Sequence, residues 1–309
     1  MIKPEFFYTN LINNGVNFFT GVPDSLLKSF CAYISDHAGE ENHIIAANEG
    51  GAVALASGCH LATGKIPLVY MQNSGTGNAA NPLLSLADGD VYGIPLILLI
   101  GWRGEPAFHD EPQHVKQGKV TCALLEAMGI PFAVMSDDET ELEKQMNACY
   151  ACLKENNSPY ALVARKDTFA PYALQKVEQN QGEMSREEAI EEILKGSSPQ
   201  GIYFSTTGMA SRELYEIRER LGQGHGRDFL TVGSMGHASQ IALGAALYKP
   251  DLVVTCLDGD GAALMHLGSL GIIGSRKPRN FRHIILNNGA HDSVGGQPTV
   301  GFKVDFAAI

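Results

Sequence analysis

The chain has 309 residues, enough for two ordinary domains, and 44% hydrophobic with 18% charged residues is the profile of a packed protein rather than a disordered one. A formal net charge of -11, with no basic run to offset it, argues against nucleic-acid and anionic-membrane partners. The longest apolar run, IPLILLIG, is far too short to span a bilayer, MIKPEFFYTNLINNG does not read as a secretory leader, and the six scattered cysteines fit a reduced, cytoplasmic setting.

From the N-terminus, apolar runs VNFFT (16–20), HIIAA (43–47), IPLVYMQ (66–72), IPLILLIGW (94–102), FAVMS (132–136) and YALVAR (160–165) read as strands. Helix-length segments separate most of them, among them EGGAVALASGCHLATG with its closing Gly64. Strands that are apolar throughout and alternate with helices predict parallel sheets covered on both faces. Cys149 and Cys152 form a C-x-x-C inside ELEKQMNACYACLKENN; this reads as a helix without a second pair, so neither metal nor redox use is expected. The alternation breaks over 171–200, where a polar stretch leads through Ser185-Arg-Glu-Glu into a helix and a Ser/Pro turn. It resumes with GIYFST (201–206), FLTV (229–232), LVVTCL (252–257) and RHIILNN (282–288). The reading is therefore two doubly wound α/β domains, 1–170 and 201–309, joined by a linker and first helix at 171–200, with no central third domain. VDFAAI starts a helical pattern at Asp305, so the second domain is expected to continue past Ile309.

The chemistry concentrates at strand ends. LDGDGAALM allows three readings: a tight turn with a helix cap, a calcium loop, or a magnesium–diphosphate site. The calcium reading lacks the further acidic positions and the closing Glu. The third asks for oxygen ligands from a neighbouring strand end, and RHIILNN ends on Asn287-Asn288. Asp258 reads as a turn or cap. In IIAANEGGAVALASG, Glu49 stands at a strand-to-helix junction, a position that the helix dipole alone would favour for an acid. STTGMASREL offers hydroxyls and free N–H groups at Thr206, Thr207 and Gly208 for a diphosphate. SGTGNAANPLL carries a G-x-G-x-x-A pattern, but the next strand ends LLIGWRG without the acid that a dinucleotide site needs.

A strand, a GDG turn, a helix and a second strand ending NN resemble the cofactor motif of the thiamin diphosphate enzyme superfamily. The resemblance implies thiamin diphosphate and Mg²⁺ as cofactors. Asp260 and Asn288 would be side-chain metal ligands and Ala290 a backbone carbonyl ligand, with Gly259, Gly261 and Ala262 against the cofactor. It implies that Glu49 exchanges a proton with the aminopyrimidine ring, matching E-x-x-A-x-x-x-A-x-G at Glu49, Ala52, Ala56 and Gly58. In TVGSMGHASQIALG it implies a backbone contact at Gly233, next to Ser234, and a ring-bending side chain at Met235, where a lone Met would otherwise be a core filler.

GVPDSLLK, MQNSGTGNAANPLLSLAD, DEPQHVKQG, STTGMASRELYE and GSMGHASQIALG resemble the phosphonopyruvate decarboxylases and, more distantly, the sulfopyruvate decarboxylases, over nearly all of the chain. That implies a carboxy-lyase that turns 3-phosphonopyruvate into phosphonoacetaldehyde and CO₂ in phosphonate biosynthesis. Alternatives are sulfopyruvate or another 2-oxo acid as substrate, or a non-catalytic thiamin diphosphate-binding protein. Asp24 resembles the acid near the substrate, with a plain N-cap as its other reading. GWRGEPAFHDEPQHVKQGK places Arg103, His109, His114, Lys116 and Lys119 after a strand end. Arg103, His109 and Lys116 are candidates for the substrate's anionic group and His114 for proton handling, against an exposed polar loop. GGQPTVGF (295–302) reads as a substrate loop. The resemblance also implies a homo-oligomer with active sites at subunit interfaces.

Overall fold

The computed structural model describes residues 1–176, 182–198 and 200–309; residues 177–181 and 199 of the expected linker lie outside the described residues. Chain contacts divide it into two units, Met1–Val177 with Val294–Gln297, and Glu178–Ser293 with Pro298–Ile309.

The first unit holds six parallel strands, β1 (Phe19–Gly21), β2 (His43–Ile45), β3 (Leu68–Gln72), β4 (Ile97–Gly101), β5 (Phe132–Val134) and β6 (Tyr160–Ala164), in the order β2-β1-β3-β4-β6-β5. Its helices are α1 (Pro4–Asn13), α2 (Lys28–His37), α3 (Glu49–Thr63), α4 (Thr76–Pro82), α5 (Pro112–Ala127) and α6 (Glu139–Asn156). The apolar strands serve two cores at once. Ile97 and Leu99 face α1, α2 and α6 with Leu68, Tyr70 and Leu162, while Leu98 and Ile100 face α3 to α5 with Val69, Met71 and Val163. Cys149 lies in the first core, as a free thiol whose pKa burial pushes up. After β2 the chain returns past β1 to form β3, so the sheet reverses its winding between β1 and β3, the place where open α/β sheets bind ligands.

His43 on the edge strand shares a hydrogen bond with the Tyr70 hydroxyl (2.8 Å), and burial lowers its pKa to about 4. A depressed histidine pKa contributes stability that is present above pH 6.5 and is lost as pH falls toward 4. Denaturant titrations over that window should show the first unit losing up to about 3 kcal/mol, and His43→Gln should flatten the slope.

The second unit carries four parallel strands, β7 (Ile202–Ser205), β8 (Asp228–Leu230), β9 (Val254–Gly259) and β10 (Phe281–Leu286), in the order β10-β9-β7-β8. Helices α7 (Arg186–Lys195) and α8 (Met209–Arg220) cover one face through Ile190, Leu194, Leu214 and Ile217. Helix α9 (Ala238–Tyr248) covers the other through Ala238, Ala242 and Ala246. Two short helices, α10 (Asp260–Met265) and α11 (Gly268–Arg276), follow β9. Here the winding reverses between β7 and β9.

Both sheets match the expected class: two parallel α/β domains. The expected helix from Asp305 is a single turn, in which Asp305 Oδ1 accepts the N–H groups of Ala307 and Ala308 (both 3.1 Å). No helix among the described residues is long and apolar enough to cross a membrane.

Candidate active site

In the first unit, Asp24 follows β1 at the winding reversal and is fully buried. Its Oδ1 accepts the Leu26 N–H (2.9 Å) and its Oδ2 the Gln72 Nε2–H from the end of β3 (2.8 Å). Asp24 closes a side-chain turn ahead of α2, whose N-cap is Leu27. Burial raises its pKa, against the Gln72 and Leu26 hydrogen bonds and the nearby Arg103 charge. A carboxyl placed so that its proton is retained at higher pH is a candidate acid.

Glu49 is the first residue of α3, and only 4% of its surface is exposed. The Asn48 side chain caps the helix by accepting from Gly51 N–H (2.8 Å), which fixes where the helix starts and so where Glu49 points. Asn78 donates to Glu49 Oε2 (2.8 Å). Gly75 presses its backbone against the same carboxylate, so that a methyl group there would overlap Oε1. Gly75 of the disfavoured dinucleotide pattern therefore belongs to a turn that shapes the Glu49 pocket, whereas Gly77 is exposed on α4, away from it.

The basic loop is ordered by its own acid. Arg103 donates to both oxygens of Asp110, from Nε (2.8 Å) and Nη2 (2.5 Å), and Nη1 donates to Ser25 (2.8 Å). The Asp110 carboxylate is held well below the usual range by Arg103, and the Arg103 pKa is raised in turn. Much of the Arg103 charge is thus already committed. His114, on α5, is partly buried, with Nδ1 unpartnered among the described residues; burial and then Arg103 lower its pKa, which favours the neutral imidazole. His109, Lys116 and Lys119 are exposed.

In the second unit a pocket opens at the C-terminal ends of β7 and β9. Asp260, Gly261, Ala262, Asn288, Ala290, Thr206, Thr207 and Met235 line it, with Asp258 and Gly259 at its base. Gly208 adopts φ 93°, ψ -137°, a conformation open essentially to glycine, and this turns the chain from β7 into α8. Ser234 is left-handed at φ 57°, uncommon outside glycine, in the turn that brings Met235 to the pocket. The register of β9 on β10 sets Gly259 opposite Leu286, which brings Asp260 beside the Asn287-Asn288 pair. Asp260 is 2% exposed; burial raises its pKa, against a Thr299 hydroxyl bond and the backbone N–H groups of Asp260, Asn288 and Gly261. Asn288 Oδ1 accepts the Ala290 N–H (3.1 Å) and its Nδ2 donates to Asp292 (2.8 Å). Asn287 is used elsewhere, donating to the Gly301 carbonyl (2.8 Å). Asp258, expected in a turn or cap, lies within β9 instead, because the strand runs past the apolar pattern to Gly259, which caps α10. It accepts from Gly259 N–H (3.0 Å) and meets His283 Nε2 of the neighbouring strand (3.1 Å).

The donor set fits a hard divalent cation and an anion. A buried carboxylate, an amide oxygen and a backbone carbonyl are the oxygen ligands that Mg²⁺ takes. Thr206 Oγ1 is buried without a partner among the described residues, an orphan hydroxyl at the mouth of the turn that a diphosphate oxygen would satisfy.

Residues 5–124 match the thiamine pyrophosphate enzyme N-terminal TPP binding domain, and residues 206–308 match its C-terminal TPP binding domain. A phosphonopyruvate decarboxylase of Streptomyces viridochromogenes is 35% identical over all of this chain and 79% of its own length. The chain belongs to the thiamine pyrophosphate-dependent decarboxylases. A second phosphonopyruvate decarboxylase, from Streptomyces hygroscopicus, is 34% identical over all of this chain and 78% of its own. A sulfopyruvate decarboxylase of Methanosarcina acetivorans is 30% identical over 94% of this chain and 76% of its own. The chain is accordingly a carboxy-lyase that uses thiamine pyrophosphate.

Residues that the sequence did not flag also reach these sites. Gln72 and Asn78 hold the two carboxylates of the first unit. Thr299, from the segment read as a substrate loop, bonds Asp260 instead. His291 lies against Gly261, and Arg186, read only as part of a linker helix, lines the second pocket. The only signal for Gln72 was its place at a strand end.

Proposed function

We propose that this enzyme decarboxylates 3-phosphonopyruvate to phosphonoacetaldehyde and CO₂, with Mg²⁺ anchoring the cofactor, in a route of phosphonate biosynthesis. Likeness over all of this chain to two phosphonopyruvate decarboxylases carries the substrate choice. Thiamin diphosphate, when bound, supplies a carbon nucleophile for the 2-oxo carbon and takes up the electrons that CO₂ leaves behind. Asp260, Asn288 and the Ala290 carbonyl hold the metal; Thr206, Thr207 and the Gly208 turn hold the diphosphate. Gly259, Gly261 and Ala262 leave room for it at the start of α10. Gly233 and Ser234 set the turn that presents Met235 to the pocket, where its side chain would pack against the cofactor. Glu49, fixed by Asn78, moves the proton at the pyrimidine ring. Asp24 and His114 move protons at the substrate, Asp24 as acid because burial favours its neutral form and His114 as a neutral base. Arg103, orienting the loop through Asp110, keeps further N–H groups for the phosphonate, together with His109 and Lys116.

The domain assignment we favour is 1–170 for the pyrimidine and 201–309 for the diphosphate, joined through 171–200. We favour a cytoplasmic homo-oligomer in which Glu49 serves a cofactor held by a partner subunit. Exposed Leu55 and Leu61 on α3 support burial of that helix against another chain. CO₂ release measured side by side should favour phosphonopyruvate over sulfopyruvate by about tenfold or more in kcat/KM. The reverse preference would reassign the substrate, and no release from either would point to a binding protein.

A further inference from the structure

Helix α7 does more than join two domains. A capping box, Ser185 with Glu188, fixes its first turn, and Arg186 occupies the first helical position. The Arg186 guanidinium is gripped by Glu213 of α8, a carboxylate only 6% exposed, through Nε (2.7 Å) and Nη2 (2.8 Å). Such a bidentate pair orients a planar fork rather than a swinging chain. The remaining nitrogen, Nη1, is thereby aimed at the pocket of Thr206, Asp260 and Asn288, where it donates to Asp292 (3.0 Å). Among the described residues lining that pocket, Arg186 is the only lysine or arginine, while Asp258, Asp260 and Asp292 are acids. A diphosphate entering with one divalent ion would meet that acidic lining with excess negative charge. Asp292, half-exposed and also bonded to Asn288, is the weakest of the Arg186 partners.

We propose that Arg186 is a cationic ligand of the cofactor's diphosphate, and that Asp292 holds its Nη1 edge until the diphosphate replaces it. This rests on the reading of the pocket as a thiamin diphosphate site. Calorimetric titration of the full chain with thiamin diphosphate and with unphosphorylated thiamin, each at saturating Mg²⁺, tests it. Arg186→Gln should weaken thiamin diphosphate binding by about 10- to 100-fold while leaving thiamin binding unchanged. Binding of the diphosphate within twofold of the unaltered protein, or an equal loss for both ligands, would overturn the proposal. Should Arg186→Gln fail to fold, Asp292→Asn decides, because it leaves the Arg186–Glu213 pair intact. It should tighten thiamin diphosphate binding by up to about fivefold; unchanged or weaker binding would count against the placeholder and so against the proposal. Asp260→Asn in the same titration separates the premise from the inference. If that variant kept its full Mg²⁺ dependence, the pocket itself would have been misread, whatever Arg186 does.

Discussion

Replacing Glu49 by glutamine should lower kcat by about 10²- to 10⁴-fold, the range over which a positioned proton-transfer group contributes. Binding of thiamin diphosphate and Mg²⁺ should stay as it is. The reasoning is local. Glutamine keeps the shape, and its amide oxygen can still accept from Asn78, so the pocket closed by Gly75 is unchanged in volume. What is lost is the ability to hold and release a proton at that atom. The dipole at the start of α3 favours an anion there by about 0.3–1 kcal/mol, so the neutral replacement costs the fold little. Turnover by CO₂ release and affinity by calorimetry read the two properties separately. Full activity in the variant would remove Glu49 from the chemistry. A loss of affinity matching the loss of rate would make it a binding residue instead.

How much of this was legible follows from how far apart the interacting residues lie. Each of the ten apolar runs read as strands contains or overlaps a strand, because a parallel sheet buried on both faces demands unbroken apolar segments. Their edges were less legible. Val16 is fully buried yet precedes β1, so its apolar character reports the core rather than the sheet. The motifs that read clearly are those whose partners share one turn, such as Gly259-Asp260-Gly261 or Asn287-Asn288. Thr299 and Asp260 are 39 residues apart, and Asn78 and Glu49 are 29, so no spacing rule connects them before the chain folds. Arg103 was visible as a charge near a strand end. That Asp110, seven residues on, would take up the Nε–Nη2 edge of its guanidinium depends on the loop path. Arg186 was hidden for a different reason: a capped helix after a polar stretch is also what an ordinary linker looks like.

Asp260→Asn should reverse the order of stability between variant and native protein depending on the ligand. In chelator the native carboxylate sits buried, and its pKa is raised because burial disfavours the charge. A carboxyl whose folded pKa lies above its unfolded value contributes stability at low pH and loses it as pH rises through the folded pKa. At neutral pH that buried charge therefore works against the fold, and the neutral amide should melt at the same temperature or higher. The amide oxygen can take the place of Oδ2 and still accept from the Thr299 hydroxyl, so that donor keeps its partner. With Mg²⁺ and thiamin diphosphate the order should invert. The native protein gains about 2.7 kcal/mol at a ligand concentration 100 times Kd. The amide variant, lacking the anionic oxygen that a hard cation selects, should gain almost nothing. Thermal melts with and without the two ligands give all four values. A variant that melts lower than the native protein in chelator would mean that Asp260 is a structural residue, whereas equal ligand-induced shifts in both proteins would place the metal elsewhere. The crossing of the two curves is the mark of a carboxylate that the fold tolerates for the sake of the ion it holds.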